Sequence, residues 1–295
     1  MEKGGSVLPA EIIDGKALAN AMRQEMKEEV RQLRESGLIP GLAVIIVGND
    51  PASETYVNSK AKACAQIGIH SEVIRLPEET DQQELLRHID RLNNAQSIDG
   101  ILVQLPLPGH ISENAVVQAI SPAKDVDGFH PENVGRLVIG QNAFLPCTPH
   151  GIIKMIQATQ TDIAGKEVVI VGRSNIVGKP LALLFLQEHA TVTVCHSRTE
   201  RLPEKTKAAD ILVVAAGKAG MIGQEHVKEG AIVIDVGINR TKEGKLCGDV
   251  RFEEVRETAG LITPVPGGVG PMTITMLLYN TLQSAKNRKD AQSDR

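Results

Sequence analysis

The chain has 295 residues, of which 42% are hydrophobic and 23% charged, an ordinary globular composition with room for about two domains. Its formal net charge of -4, without a long basic run, excludes the electrostatic footprint of a nucleic-acid-binding protein, so we expect a small-molecule partner. The first residues lack the pattern of a signal peptide, and no apolar run is long enough to span a bilayer. These features predict a soluble cytoplasmic protein with no membrane partner.

The four cysteines are spread along the chain without C-x-x-C spacing. They are Cys64, Cys147, Cys195 and Cys247. This distribution predicts free thiols, buried or partly buried, and argues against a metal site or a disulfide framework.

Short runs rich in valine and isoleucine alternate with longer amphipathic stretches. A first helix is predicted at about 15–35, with Gly37 in the position that commonly follows a helix end. Strands are predicted at 42–47, 99–105, 166–171, 191–195, 210–216 and 230–236. Strands that alternate with helices indicate an α/β protein with parallel sheets.

The second predicted helix follows the first strand and carries a tyrosine and a lysine. Asp50 suits its N-cap, Pro51 its first position and Gly68 the residue past its end. Val57, Ala61 and Cys64 form the predicted apolar stripe, with Tyr56 and Lys60 together on its flank and Lys62 turned toward water. Lys60 is therefore the lysine that can be half-buried, although packing of its stem across Tyr56 would explain that position as well.

Short-chain dehydrogenases use the same Tyr-x-x-x-Lys spacing to protonate a carbonyl. In those enzymes the pair follows the cofactor loop, whereas Tyr56 and Lys60 precede the glycine loop at Gly172 by more than a hundred residues. We therefore expect the pair to belong to a different domain and to face the cofactor domain across a cleft.

The stretch at 144–151 is proline-rich and follows an irregular segment, which suggests a domain boundary near 148. A second glycine and proline cluster precedes a last helix, predicted at about 271–288. The resulting division is a first domain of 1–148 plus 271–295 and a second of 149–270. The polar tail at 286–295 is expected to be frayed.

The sequence "VVIVGRSNIVGKPLALLFL" combines a buried strand, a glycine loop and an amphipathic helix, the arrangement of a dinucleotide site with pyrophosphate at a helix N-terminus. Against G-x-G-x-x-G, Gly172 fits the first position, Ser174 and Val177 occupy the second and third, and Gly178 comes one place late. A P-loop is disfavoured because five residues separate the glycines and Pro180 replaces the magnesium-binding hydroxyl.

The end of the next strand indicates which dinucleotide binds. An NAD enzyme offers a carboxylate there to the ribose 2′-hydroxyl, but this chain has Ser197 and Arg198 and no acid before Glu200. With Arg173 in the glycine loop, these residues suit a 2′-phosphate and favour NADP. Arg198 could also be an ordinary solvated surface residue.

Seven separated motifs resemble, in order and spacing, the methylenetetrahydrofolate dehydrogenase/cyclohydrolase family. They are "YVNSKAKAC", "GILVQLPLP", "KDVDGFHPENVGRL", "PCTPHG", "GRSNIVGKP", "CHSRT" and "TPVPGGVGPMT", and they cover nearly the whole chain. The resemblance implies an N-terminal α/β catalytic domain and a Rossmann-type dinucleotide-binding domain.

The activity that the resemblance implies has two steps. The first is NADP-dependent oxidation of 5,10-methylenetetrahydrofolate to the methenyl cation, and the second is hydrolysis of that cation to 10-formyltetrahydrofolate. The same resemblance implies tetrahydrofolate derivatives as substrates, a homodimer, and a place in one-carbon metabolism and purine biosynthesis.

The resemblance also implies roles for four catalytic-site residues. Lys60 is the catalytic lysine, Tyr56 the ring that packs on the folate, Gln104 the hydrogen-bond partner of the lysine, and Asp127 the carboxylate that holds the pterin. Taken singly, Gln104 could cap a strand end and Asp127 could form an Asx-turn.

Further residues are implied for the two ligands. For the folate these are Val103, Leu105, Pro106, Pro264, Gly268 and Pro271. For NADP they are Gly172, Arg173, Ser174, Ile176, Val177, Gly178, Pro180, His196, Ser197, Arg198, Ala216, Gly217, Ile238 and Thr273.

Two other interpretations remain open at the level of sequence. A two-domain NADP dehydrogenase of another small substrate would have the same plan. A folate- or dinucleotide-binding protein without catalysis would bind NADP without turnover.

Overall fold

The computed structural model describes residues 9–241 and 243–293. Across these residues, no helix has both the length and the apolar character that crossing a membrane requires. Three of the four cysteines are buried, Cys247 is partly exposed, and all four are free thiols, as predicted.

The strands and helices alternate along the chain, which confirms the predicted α/β class. The strands are β1 (Glu11–Ile12), β2 (Gly41–Val47), β3 (His70–Leu76), β4 (Gly100–Val103), β5 (Glu167–Val171), β6 (Thr191–Cys195), β7 (Ile211–Val214), β8 (Ile232–Asp235), β9 (Asn239–Arg240), β10 (Leu246–Cys247) and β11 (Leu261–Ile262). The helices are α1 (Gly15–Glu35), α2 (Pro51–Ile67), α3 (Gln82–Asn94), α4 (Glu113–Ala119), α5 (Pro131–Val138), α6 (Cys147–Ala158), α7 (Gly178–Gln187), α8 (Leu202–Thr206), α9 (Phe252–Val255) and α10 (Val269–Ser293), with a short 3₁₀ helix at Gln224–His226.

The chain divides into two compact units. Residues 9–19 and 148–273 form one of them, called here the six-stranded unit, and residues 20–147 and 274–293 form the three-stranded unit. The division therefore falls within helices α1 and α10 and next to the start of α6.

The six-stranded unit contains a parallel sheet with the strand order β1-β11-β8-β7-β5-β6. The chain runs outward in one direction from β5 to β6 and in the other from β5 through β7, β8 and β11. Ligands of such doubly wound sheets bind outside the carboxyl ends of the strands where the order reverses, which here is between β5 and β7.

The three-stranded unit contains a parallel sheet with the order β3-β2-β4. All seven residues of β2 are buried, because the strand is central and both faces of the sheet are covered. The carboxyl end of β4 leads directly into Gln104.

Helix α2 has the ends that its sequence predicts. The Asp50 carboxylate accepts a hydrogen bond from the Ser53 backbone N–H at 2.8 Å, and Gly68 adopts φ +89° while its N–H donates to the Cys64 carbonyl. Val57, Lys60 and Cys64 are buried on this helix, whereas Ala61 is only partly buried.

The last helix is longer than predicted, and the expectation of a frayed tail is wrong through residue 293. Helix α10 runs from Val269 to Ser293. Its final turns are anchored by Arg288, whose guanidinium forms two hydrogen bonds, at 2.7 and 3.1 Å, with the buried carboxylate of Asp99.

Candidate active site

A buried lysine and a glutamine form the polar centre of the three-stranded unit. The Lys60 Nζ donates a hydrogen bond of 2.9 Å to Gln104 Oε1, and Lys60 is only 9% exposed. Helix α2 supplies the lysine and the end of β4 supplies the glutamine, so two adjacent elements position the pair. The Gln104 amide nitrogen donates to the Leu105 carbonyl at 2.7 Å, which fixes the amide orientation.

The surroundings of Lys60 favour its neutral amine. Burial lowers the pKa of Lys60 below its ordinary value, and the opposing contribution of the Asp127 carboxylate is smaller. Gln104 can accept a hydrogen bond from the amine without adding a charge that would raise that pKa again. Lys60 therefore has the properties of a proton acceptor at a pH below the usual range of lysine.

Asp127 lies close enough to Lys60 for the two charges to interact, and the residue as a whole is partly buried. Desolvation raises the pKa of Asp127, while the Lys60 charge and a hydrogen bond with the Cys147 thiol act in the opposite direction. The structure thus brings together Lys60, Gln104 and Asp127, three of the predicted catalytic residues. It adds Cys147, which the sequence did not indicate as a site residue.

Asp125, two residues before Asp127, has a different role. Its buried carboxylate accepts hydrogen bonds from the backbone N–H groups of Phe129 and His130 and from the Asn133 side chain, at 2.8–3.2 Å. These bonds close the turn that follows Asp127, so Asp125 is a structural carboxylate.

Asn280 of α10 was not predicted, yet it ties together the segments that carry Asp127 and Cys147. Its Nδ2 donates to the Val126 carbonyl at 2.8 Å and to the Leu145 carbonyl at 3.0 Å. These partners lie far away in sequence, so no local pattern could have indicated the role.

The other predicted folate residues fall into two groups. Tyr56 lies one helical turn before Lys60 and is partly exposed, Val103 is the buried last residue of β4, and Leu105 and Pro106 follow Gln104. Pro264, Gly268 and Pro271 belong to the six-stranded unit, in the segment after β11 and the first turn of α10.

The glycine loop after β5 has little space for side chains at two positions. Gly172 adopts φ +142°, and a Cβ there would lie 2.3 Å from the Ala215 carbonyl oxygen. A Cβ on Gly178 would lie 2.2 Å from the Gly172 carbonyl oxygen. The loop can therefore close tightly between β5 and α7 only with glycine at both positions.

The first turn of α7, where the sequence predicts a phosphate, uses several of its N–H groups within the loop. Ser174 Oγ accepts hydrogen bonds from the N–H groups of Val177 and Gly178, at 3.1 and 3.4 Å, and the Lys179 N–H donates to the Ser174 carbonyl. Pro180 has no N–H to offer. These N–H groups are therefore engaged in hydrogen bonds within the loop.

Arg173, Ser197 and Arg198 are exposed at the carboxyl ends of β5 and β6. These ends adjoin, because the Gly172 N–H donates to the Cys195 carbonyl at 2.9 Å. Within residues 9–241 and 243–293, neither arginine forms an ion pair, so both guanidinium groups are available to an anion. His196 shapes the turn, since its Nδ1 accepts a hydrogen bond from the Arg198 N–H at 3.2 Å.

The remaining predicted cofactor residues follow β7, β8 and β11. Ala216 and Gly217 form the exposed loop after β7, Ile238 is 51% exposed after β8, and Thr273 lies in α10 with its hydroxyl 2.8 Å from that of Thr148. Thirteen predicted NADP residues thus lie at the carboxyl edge of one sheet, and Thr273 lies in the helix beyond β11.

Two family models match this chain in succession. The catalytic domain of tetrahydrofolate dehydrogenase/cyclohydrolase matches residues 13–127, and the NAD(P)-binding domain of the same family matches residues 146–289.

Individual relatives match over nearly their whole length. The bifunctional protein FolD of Halalkalibacterium halodurans is 66% identical over 279 residues, which is 95% of this chain and 100% of that protein. The crystal structure of the bifunctional FolD methylenetetrahydrofolate dehydrogenase/cyclohydrolase of Campylobacter jejuni is 53% identical, with a TM-score of 0.93 over 95% of this chain and 99% of that one. The Trypanosoma brucei FolD structure, complexed with NADP cofactor and inhibitor, is 43% identical, with a TM-score of 0.91 over 95% and 98% of the two chains.

These matches confirm the resemblance drawn from the seven motifs and the two-domain α/β architecture. The chain belongs to the tetrahydrofolate dehydrogenase/cyclohydrolase family.

Proposed function

We propose that Lys60, Gln104 and Asp127 serve both reactions of a bifunctional enzyme. One is the NADP-dependent oxidation of 5,10-methylenetetrahydrofolate to 5,10-methenyltetrahydrofolate. The other is the hydrolysis of that product to 10-formyltetrahydrofolate. The observation that carries the proposal is the buried Lys60 amine, 2.9 Å from Gln104 Oε1, in surroundings that lower its pKa.

Hydrolysis needs a base for the attacking water and an acid for the departing ring nitrogen. The neutral Lys60 amine takes a proton from water as the water oxygen bonds to the methenyl carbon, which gives a neutral carbinol intermediate. The resulting ammonium returns that proton to N5 as the carbon–N5 bond breaks, and the carbinol hydroxyl releases its own proton to solvent as the formyl C=O forms. Gln104 keeps the amine directed at the reacting carbon. The cationic substrate itself lowers the pKa of the nearby lysine further, which favours the neutral form needed for the first step.

Asp127 is best explained as the anchor of the pterin. An ionised carboxylate accepts two parallel hydrogen bonds, which suits an amino group beside a ring N–H. Tyr56, partly exposed and one turn from Lys60, offers an aromatic face against which a flat ring can pack.

The carboxyl edge of the six-stranded sheet fits NADP. Arg173, Ser197 and Arg198 supply charge and hydrogen-bond donors for the 2′-phosphate, and the tight glycine loop lets backbone approach the pyrophosphate. When bound, NADP accepts the hydride in the oxidation. Hydrolysis makes no use of it, so the two reactions can be lost separately.

A time course separates this function from the two alternatives. Purified protein, 5,10-methylenetetrahydrofolate and NADP should give a methenyl absorbance that rises and then falls as the formyl product accumulates. NADP binding without any methenyl signal would identify a binding protein, and turnover of another small acid in place of the folate would identify a different dehydrogenase.

We also propose that the enzyme is a homodimer that forms through the edge of β6. This strand ends the six-stranded sheet, and its sequence TVTVC contains no charge or proline that would discourage pairing. Val194 is 36% exposed on it, and Leu186 is 54% exposed at the end of the neighbouring α7. A second copy placed against this edge would cover both side chains.

A further inference from the structure

Two buried carboxylates at the carboxyl edge of the six-stranded sheet have no part in the chemistry described above. Asp249 is fully buried and Asp235 is 3% exposed. A buried carboxylate is destabilising unless hydrogen-bond donors surround it. The groups that donate to Asp235 and Asp249 therefore indicate which segments these carboxylates hold in place.

The Asp249 carboxylate gathers the loop that follows β7. Its Oδ2 accepts hydrogen bonds from the N–H groups of Ala216 and Gly217 at 2.7 and 2.8 Å. Its Oδ1 accepts from the Lys218 N–H and from Asn239 Nδ2, both at 2.8 Å. Three consecutive N–H groups of one loop thus converge on a single side chain.

Asp235, the last residue of β8, holds Asp249 in place. Its Oδ1 accepts from the N–H groups of Gly237 and Asp249, and its Oδ2 accepts from the Val250 N–H, each at 2.9 Å. Burial raises the pKa of Asp235 to about 6, and the neighbouring charge of Asp249 contributes in the same direction. The two acids therefore form a connected pair across the ends of β7 and β8.

Two glycines leave the space that the pair occupies. A Cβ on Gly237 would lie 2.4 Å from Asp249 Cγ, and a Cβ on Gly248 would lie 1.8 Å from Asp235 Oδ2. Neither glycine could be replaced without displacing a carboxylate, so the local sequence is adapted to this pair.

The direction of the three N–H groups determines what the loop presents to a ligand. In a trans peptide the C=O points opposite to the N–H, so the carbonyls of Ala215, Ala216 and Gly217 face away from Asp249. The Ala215 carbonyl oxygen accordingly lies against Gly172 in the glycine loop. The next two carbonyls become acceptors on the exposed side of the loop.

We propose that Asp249, supported by Asp235, is a positioning residue for NADP. It orients the loop after β7 so that the outward carbonyls accept hydrogen bonds from donor groups of the cofactor, the ribose hydroxyls and the carboxamide. The proposal rests on the proposed function, because it requires NADP at this edge of the sheet.

Asp249→Asn tests the proposal, since the amide would turn an N–H₂ group toward N–H donors and release part of the loop. We expect the dissociation constant for NADP, measured by calorimetry, and the KM for NADP to rise about tenfold, which corresponds to about 1.4 kcal/mol. Cyclohydrolase kcat/KM should stay within about twofold, because that reaction does not use the cofactor. The matched control is Asp210→Asn. Asp210 is a partly exposed carboxylate at the amino end of β7 that pairs with Lys228, and its replacement should change neither activity.

Asn239→Ala provides a second variant if Asp249→Asn fails to fold. It removes one of the four donors and should weaken NADP binding about threefold without loss of cyclohydrolase activity. Unchanged NADP binding in these variants, or an equal loss of both activities, would overturn the positioning role. Absence of NADP binding by the unmodified enzyme would instead overturn the proposed function itself.

Discussion

The proposed role of Lys60 as a base depends on burial, which favours its neutral amine and outweighs the contributions that raise its pKa. Asp127 is the largest contribution that raises its pKa, followed by the thiols of Cys147 and Cys64. Asp127, the proposed anchor of the folate, is therefore also expected to influence the pH range in which hydrolysis occurs.

We predict that Asp127→Asn moves the pH profile of the cyclohydrolase reaction to lower pH. The rate should rise with pH as Lys60 loses its proton, with a midpoint below the ordinary lysine pKa of 10.5, since burial lowers it. Removal of the Asp127 charge removes a contribution that raises this pKa, so the midpoint of kcat/KM against pH should fall. A midpoint that stays in place or moves upward would show that Asp127 does not act on the lysine.

Arg173 and Arg198 are predicted to determine the preference for NADP over NAD. Loss of one charge-assisted hydrogen bond to the 2′-phosphate should cost roughly 1.5–3 kcal/mol in NADP binding and little in NAD binding. The KM values of both cofactors should be compared for Arg173→Ala, Arg198→Ala and the control Lys207→Ala. If the unmodified enzyme uses NAD as well as it uses NADP, the assignment of the 2′-phosphate site is wrong.

Helix α10 shows how hydrogen bonds to residues distant in sequence order a polar helix end. Asp99 is 1% exposed in its side chain, and it accepts hydrogen bonds both from Arg288 and from the Gly41 N–H. The Ser284 hydroxyl donates to the Asp99 carbonyl at 2.7 Å. The helix is therefore attached at two successive turns to the start of the three-stranded sheet.

We predict that Arg288→Met destabilises the three-stranded unit by about 3 kcal/mol, because it removes two charge-assisted hydrogen bonds from the buried Asp99 carboxylate, although the charge of Lys124 remains nearby. Arg31→Met removes a cation of the same kind from exposed ion pairs with Glu28 and Glu35 on α1, where the expected loss of stability is much smaller because solvent screens these charges. Urea unfolding followed by circular dichroism measures both. Equal stability of the two variants would mean that the Asp99 pair contributes no more than a surface pair.

Local signals in the sequence predicted some elements well. The caps of α2 lie within a few residues of its ends, so Asp50 and Gly68 could be identified directly. Strand β3 was missed because its sequence HSEVIRL carries charged residues on a partly exposed edge strand. The tail of α10 was missed because Arg288 is 189 positions away from Asp99.

The residues of the candidate site also divide into those that local sequence signals indicate and those that depend on contacts between distant segments. The glycine loop and the arginines beside it follow predicted strands, so their grouping at one sheet edge was foreseeable. Gln104 was assigned to Lys60 only through the family resemblance, since the pair is separated by 44 positions. Cys147, Asn280 and Asp249 act through contacts between distant segments, and they could be recognised only in the folded chain.

The oligomeric state of the whole molecule can be tested independently of its catalytic activity. We predict that Val194→Lys converts a dimer to a monomer, because a charge at this exposed position of the edge strand β6 opposes pairing with a second copy. Sedimentation velocity distinguishes the two states. Leu246→Lys, at another exposed apolar position of the same unit, is the control and should remain dimeric.

A dimer that persists in Val194→Lys would place the interface elsewhere, and a monomeric unmodified enzyme would remove the proposal altogether.

Lys60→Met separates the two proposed activities, because only hydrolysis is expected to need the proton transfer of this lysine. Hydrolysis of the methenyl cation should fall by about 10²- to 10⁴-fold, the usual contribution of a proton-transfer group. NADP-dependent oxidation should survive, because it depends on alignment, which a side chain of similar length can partly preserve.

Lys62→Met, on the exposed face of the same helix, should leave both rates unchanged, and Tyr56→Phe should have a smaller effect than Lys60→Met because the ring remains. Both rates are measured for all three variants. A Lys60→Met enzyme that hydrolyses the methenyl cation at the normal rate, or a Tyr56→Phe enzyme that alone loses hydride transfer, would show that Lys60 is not the proton-transfer group of hydrolysis.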